Sequence, residues 1–147
     1  MWNAVSQREE PALMLSKGRV EAVAFSPDGR LLASTGTTAK IWDFETRSVM
    51  AELDQGPRAY SICVAFPPSS RVLATGGGFQ SSPGSPFEDC GIKLWDAKTG
   101  HLITFLPHER PVHSLCFLPG GERIVAGGES GELRMWDIPA GALTKAT

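Results

Sequence analysis

His108, His113 and Cys116 bring two imidazoles and a thiol into one short stretch, the ligand types of a zinc site. A tetrahedral ion needs its ligands to converge. In an extended segment His113 and Cys116 point to opposite faces, so no metal site is expected. Gly76-Gly77-Gly78 has the backbone freedom to cradle a phosphate, but no Gly-Lys-Ser/Thr follows to supply the cation and the hydroxyl. It reads as the lead into a loop. Gly128-Glu129-Ser130-Gly131 sets a serine among glycines, but the G-x-S-x-G spacing of a nucleophile elbow fails, and a hairpin turn fits better. Carboxylates are scattered, mostly in turns, with no pair placed for acid–base work. No catalytic residue, no metal and no cofactor is expected, and the chain does not read as an enzyme.

The stronger signal is a repeated phrase. Lys40-Ile41-Trp42-Asp43, Lys93-Leu94-Trp95-Asp96 and Arg134-Met135-Trp136-Asp137 all read basic–aliphatic–Trp–Asp. Each follows a second phrase, which opens Ala24-Phe25, Ala65-Phe66 or Cys116-Phe117 and runs into a turn such as Ser26-Pro27-Asp28-Gly29. Pro presets φ there, Asp caps the turn and Gly accepts positive φ. Before each turn the residues alternate between small and large. Ala22 and Ala24, Cys63 and Ala65, and Ser114 and Cys116 form one face. Val23 and Phe25, Val64 and Phe66, and Leu115 and Phe117 form the other. Period-two alternation argues for a strand, and two faces without charge argue for a strand covered on both sides. Leu31–Ser34, Val72–Thr75 and Ile124–Gly127 read as second strands, the tryptophan phrases as third strands. A turn and a fourth strand should follow each Asp, the last strand around Ala142 to Lys145. No segment shows sustained helical periodicity.

A period near 40 residues with Trp-Asp closing each unit resembles the WD40 family of β-propellers. The resemblance implies an all-β fold of four-stranded antiparallel blades set radially around a channel. Three blades are expected, at 17–56, 57–107 and 108–147, with Trp42, Asp43, Trp95, Asp96, Trp136 and Asp137 as their structural signature. The resemblance also implies a polar network that gives each indole N–H a partner: a strand Ser or Thr, a His before the unit and an Asp before the tryptophan strand. Here the network is patchy. The first repeat has Ser34, but Ser16 replaces the His and Thr37 the Asp. The second has Thr75 and Asp89, but Pro57 replaces the His. The third has His108, but Ala126 replaces the hydroxyl, leaving Glu129 or Ser130 to serve for the Asp.

Composition narrows the function classes. A net charge of −2, mixed along the chain, argues against a broad nucleic-acid or anionic-membrane surface. No apolar run reaches transmembrane length, and the start lacks a signal-peptide pattern. Three cysteines without CxxC spacing give no disulfide framework and fit a reducing, cytoplasmic setting. Cys63 and Cys116 are expected to be packed, and Cys90 to lie in a loop, with a reactive thiol there as the minor alternative.

Three blades pose a problem, since closed propellers have about four to eight. Met1-Trp2-Asn3 echoes Met135-Trp136-Asp137, as though residues 1–16 held the outer strand of a preceding blade, around Ala12 to Leu15. The alternative is a chance Trp in a tail. A blade face burying about 400 Å² of apolar surface contributes about 10 kcal/mol, as much as a whole domain's stability. An open or partial propeller would leave two such faces bare. Either the chain is a fragment of a longer propeller, or copies of it close a ring as a homo-oligomer.

One segment breaks the repeat. Phe-to-Trp spacing is 17 and 19 residues in the outer repeats but 29 in the middle one, the excess falling within residues 78–88. Phe79 and Phe87 in this Gly/Ser/Pro-rich stretch either fold back on the blade edge or protrude toward a partner. Ser82-Pro83 and Ser85-Pro86 offer proline-directed phosphorylation sites. The expected function is a scaffold for protein or peptide partners. Its candidate contacts are Phe79, Gln80 and Phe87, with Arg58, His108, Glu109 and Arg110 in neighbouring loops. The alternative is an accessory propeller region of a larger regulatory enzyme.

Overall fold

Ser26-Pro27-Asp28-Gly29 folds as its composition dictates. The Gly29 amide donates to the Ser26 carbonyl at 2.8 Å, Gly29 adopts φ 72°, and the Asp28 carboxylate accepts from the Ser26 hydroxyl at 2.6 Å. Such turns join antiparallel strands, and the structure, a computed structural model, is built almost wholly from them. It describes residues 2–3, 5–6, 8–9, 18–56 and 60–145.

The first sheet comprises β3 (Val20–Phe25), β4 (Leu31–Gly36), β5 (Ala39–Asp43) and β6 (Ser48–Leu53), in sequential order. The second comprises β7 (Ser61–Ala65), β8 (Val72–Gln80), β9 (Phe87–Asp96) and β10 (Leu102–Pro107). The third has β11 (Val112–Phe117), β12 (Arg123–Gly128) and β13 (Leu133–Asp137). Every pairing is antiparallel. Each inner strand slips register once near its start, after Val20, Ser61 and Val112. Opposite these residues stand Gly36, Gly77 and Gly128. A Cβ on any of the three would lie 2.0 Å from a carbonyl oxygen of Arg19, Tyr60 or Pro111. The middle member of Gly76-Gly77-Gly78 is thus required by backbone approach within a sheet, not by a loop.

Sheets stack through alternating faces. Val64 and Phe66 pack against Ala33, Ile41 and Leu53 of the first sheet, joined by Leu73 and Trp95. Leu115, Phe117, Ile124 and Trp136 of the third sheet pack against Val72, Ala74, Ile92 and Leu94 of the second in the same way. Polar links cross the first junction. Tyr60 donates to Glu21, Ser61 to the Gln55 side chain and Lys93 to the Gln55 carbonyl. The Glu21 carboxylate holds the Tyr60 hydroxyl above the ordinary phenol range.

Two expectations need correction. The strand expected around Ala142 to Lys145 is instead a short helix, α1 (Ala140–Lys145), so among the described residues the third sheet has three strands and β13 is its edge. The cause lies just past the tryptophan. Asp96 Oδ1 accepts from the amides of Lys98 and Thr99, at 2.9 and 2.8 Å, and so turns the chain back into β10. Pro139 holds the place of Lys98 and has no N–H to give. The chain goes helical, and Ile138 and Ala142 enter the core. The second correction concerns the inner strands. Among the described residues, β7 is the inner strand with a sheet on each side. Val23 of β3 is 58% exposed and Cys116 of β11 is also exposed, because no described sheet covers those faces.

The proposed strand around Ala12 to Leu15 lies outside the described residues. The first residues form a short antiparallel strand pair. β1 (Trp2–Asn3) pairs with β2 (Arg8–Glu9), with Trp2 opposite Glu9 and Asn3 opposite Arg8. Trp42 stands opposite Val49 and Trp95 opposite Leu102, the same offset of seven residues.

The indole partners follow the sequence reading where a hydroxyl exists. Trp42 Nε1 donates to Ser34 Oγ at 3.1 Å, and Trp95 Nε1 to Thr75 Oγ1 at 2.9 Å. In the third sheet Ala126 holds that position, and the Trp136 ring meets the His108 ring edge-on at 5.9 Å. Asp89 is exposed with φ 49°, while Glu129 turns to His113. Thr75→Val keeps the shape but strands a buried N–H. Urea unfolding should show a loss of about 1–3 kcal/mol, and a change within about 0.3 kcal/mol would contradict the role given to this bond.

Candidate functional site

The longest strands in the chain, β8 and β9, form a hairpin that continues past the end of the second sheet. Beyond the register slip at Gly77, Phe79 pairs with Glu88 and Gln80 with Phe87. The residues between them form an ordered tip. Ser85 N–H donates to the Ser82 carbonyl at 3.0 Å, with Pro83 and Gly84 between and Gly84 at φ 87°, the pattern of a type II turn. Ser85 Oγ donates to the Ser82 carbonyl at 2.8 Å and accepts from Ser82 N–H at 3.1 Å. Gln80 Nε2 donates to the Ser85 carbonyl at 2.8 Å. The insertion is therefore strand and tight turn, built by Ser-Pro-Gly-Ser.

The hairpin base is tied to the loop before β11. The His108 amide donates to the Cys90 carbonyl at 2.9 Å. Pro111 lies so near Gly78 that a Cβ there would stand 3.0 Å from its Cα. The Arg110 guanidinium sits over the Phe87 ring, 4.8 Å from its centre. Arg110 N–H donates to His108 Nδ1 at 3.1 Å, which turns the loop back on itself. The exposed Glu109 carboxylate comes within 4.0 Å of Arg134. Six of the seven candidate contacts, Phe79, Gln80, Phe87, His108, Glu109 and Arg110, thus fall on one hairpin and the loop beside it. Arg58 lies outside the described residues. Phe79 and Phe87 are half-buried and Gln80 is exposed. The rings neither fold fully onto the blade nor stand free: Phe87 is a platform with a cation already stacked on it, an arrangement worth about 0.5–1 kcal/mol at an exposed site.

Sequence reasoning missed the Gln55–Ser61–Lys93 link, because Gln55 carries no motif and finds its partners only across a sheet junction. It also misjudged two cysteines. Cys90 is a buried residue of β9 rather than a loop thiol, and burial raises its pKa. Cys116 is exposed where packing was expected. Among the described residues no group of three or more His, Cys, Asp or Glu side chains is placed to hold a metal ion. None of their helices is long and apolar enough to cross a membrane.

With this geometry in hand, comparison with known proteins is informative. The family model described as "WD domain, G-beta repeat" matches residues 13–43, 53–96 and 100–137. The chain is 32% identical over 127 residues to nuclear distribution protein PAC1 of Arthroderma otae, covering 77% of this chain and 28% of that protein. It is 28% identical over 153 residues to human apoptotic protease-activating factor 1, covering 96% of this chain and 11% of that one. It is 36% identical over 141 residues to the Arabidopsis thaliana transcriptional corepressor LEUNIG_HOMOLOG, covering 92% and 16%. The chain thus spans less than a third of the length of these relatives.

Burial pushes the Cys63 thiol up to about 12. At about pH 8.5, where a free thiol is half ionised, Cys63 should resist alkylation in the folded chain and react once the chain is unfolded. Peptide mass mapping reads this, and rapid labelling of Cys63 in the native protein would contradict the packing described.

Proposed function

The chain belongs to the WD40 repeat family, and we propose from that premise that it is a protein-interaction scaffold, working as part of a propeller. Its partners are proteins or peptides, held on the surface made by the β8–β9 hairpin and the His108–Arg110 loop. One observation carries the assignment. Among the described sheets the middle one alone extends its hairpin, and that extension is ordered by its own turn and braced by Arg110 on Phe87. An ordered protrusion with aromatic, amide and cationic groups side by side offers hydrogen bonds and apolar contact on a rigid base, the usual character of a binding loop. Gln80 supplies an exposed amide, Phe79 and Phe87 supply apolar surface, and Glu109 and Arg110 supply charges of both signs. The near-neutral charge suits protein partners better than nucleic acid or an anionic membrane. The cysteine usage suits a cytoplasmic setting.

A second reading, an accessory propeller region within a larger regulatory enzyme, draws support from the much greater length of the relatives. It uses the same surface and assigns the chemistry to another domain. In either case these sheets contribute recognition.

A photo-crosslinker placed at Gln80 should capture a discrete partner from lysate of the source cells. The double substitution Phe79→Ser, Phe87→Ser should abolish that capture while the urea midpoint shifts little. A capture profile unchanged by the double substitution would remove this surface from the account.

A further inference from the structure

The end of the second sheet away from the hairpin carries a feature of its own. β8 runs from Val72, opposite Asp96, to Gln80, opposite Phe87. At about 3.3 Å per residue its two ends are about 30 Å apart, so they are separate surfaces. At the Val72 end, the turn after Trp95 presses on β6 of the first sheet: a Cβ on Gly100 would stand 2.7 Å from the Cβ of Ala51. Beside that contact the two sheets leave a notch of about 390 Å³. Leu31 and Met50 of the first sheet and Ala97 of the second give it an apolar lining. Leu31 also packs on the core of the junction, which makes the floor firm, while Met50 is 43% exposed. The volume lies in the lower part of the roughly 300–1,000 Å³ of ligand pockets. It suits one bulky side chain with the backbone on either side of it.

Two cations, Arg71 and Lys98, stand at this notch. Their backbones are fixed. The Arg71 carbonyl accepts from Ala97 N–H at 2.9 Å, and Lys98 N–H donates to Asp96 Oδ1 at 2.9 Å. Both residues are exposed, and neither side chain has an ion pair or hydrogen bond among the described residues. By contrast, Arg19 pairs with Glu21, Lys40 with Glu52 and Arg134 with Glu132, and Arg110 lies on Phe87. In a chain of net charge −2, two unmatched cations at one notch are a local positive excess that a negative partner answers. Asp96 also lines the notch, but it is buried and its Oδ1 is taken up by the amides of Lys98 and Thr99.

The same bonds narrow the class of partner. Ala97 N–H donates to Arg71, and the amides of Lys98, Thr99 and Gly100 all donate to Asp96. The turn therefore keeps no amide with which to cradle a phosphate. An apolar floor between two cations fits carboxylates set around an apolar side chain.

We propose that this notch binds a short acidic peptide segment. One bulky apolar side chain rests on Leu31, Met50 and Ala97, and the carboxylates beside it meet Arg71 and Lys98. The site is distinct from the hairpin surface, so Phe79→Ser with Phe87→Ser leaves it unchanged, and failure of partner capture at the hairpin does not touch it.

Fluorescence anisotropy of the full chain with a labelled Asp-Glu-Phe-Asp-Glu peptide tests it. Saturable binding that weakens as salt rises is expected. The peptides Asp-Glu-Ser-Asp-Glu and Lys-Lys-Phe-Lys-Lys should each bind at least about tenfold more weakly. Arg71→Glu with Lys98→Glu should weaken the acidic peptide by a similar factor and strengthen the basic one. Binding indifferent to the double substitution overturns the proposal, as does equal binding of all three peptides. Displacement of the acidic peptide by inorganic phosphate at constant ionic strength gives the notch to a phosphate group and overturns it. So does a doubled sedimentation mass that the double substitution abolishes, which gives the notch to a second copy. Should the double variant lack the β-sheet circular dichroism of the unaltered chain, carbodiimide coupling to the unaltered chain decides. The reagent joins a peptide carboxylate to a lysine amine as an amide and carries off the water as a urea. Peptide mass mapping should find Lys98 coupled ahead of Lys40 and Lys93, and coupling spread evenly over the three overturns the proposal.

Discussion

The seating of one inner strand on the neighbouring sheet is the contact on which the rest of this chain depends. A sheet of four short strands has two apolar faces and too little interior of its own to hold them from water. Ile41, Leu73 and Trp95 are buried because the first and second sheets close on one another. Ile92, Leu94 and Ile124 are buried because the second and third do the same. Small residues at Ala24, Ala33 and Ala74 let the sheets approach, and large ones at Val64, Phe66, Leu115 and Phe117 fill the space. The hydrogen bonds of Trp42 and Trp95, the glycine approaches and the capped turns all serve to present those faces at the right register.

From that contact follows a gradient along the chain. The middle sheet is covered on both sides, has the longest strands and supports the protruding hairpin. Among the described residues the outer sheets each have one open face, with Val23, Phe25, Leu133 and Met135 exposed on it. It is mechanically sensible that the extended hairpin rises from the middle sheet. A platform for a partner must be rigid at its base, and Gly78 of β8 packs there against Cys90 and Pro111. The position of Phe87 is then fixed from below by β8 and from the side by Arg110.

Much of this was legible in the residues. The three Trp-Asp phrases, the alternation of small and large residues and the Ser-Pro-Asp-Gly turn are local signals, and local signals set strands and turns. What was not legible depends on neighbours that sequence cannot show. Cys116 occupies a packing position that no described sheet covers, so its type predicts burial and its setting denies it. Pro139 removes one amide needed to turn the chain after Asp137, a single-atom effect that outweighs the repeat pattern and yields α1. Gln55 carries no motif, yet bridges Ser61 and Lys93 across a junction. The candidate surface was legible as a set of residues. That its hairpin would be ordered came from Pro83-Gly84 and Ser85, and that Arg110 would stack on Phe87 came from the way two loops meet.

Native-state hydrogen exchange tests the primacy of sheet seating most directly. Amides that open only with the whole junction exchange slowest. Leu73–Thr75 and Ile92–Trp95 of the middle sheet should therefore be the slowest in the chain, with the amides of β3 and β13 exchanging at least about tenfold faster. Equal protection across all three sheets, or a middle sheet that exchanges first, would contradict the account.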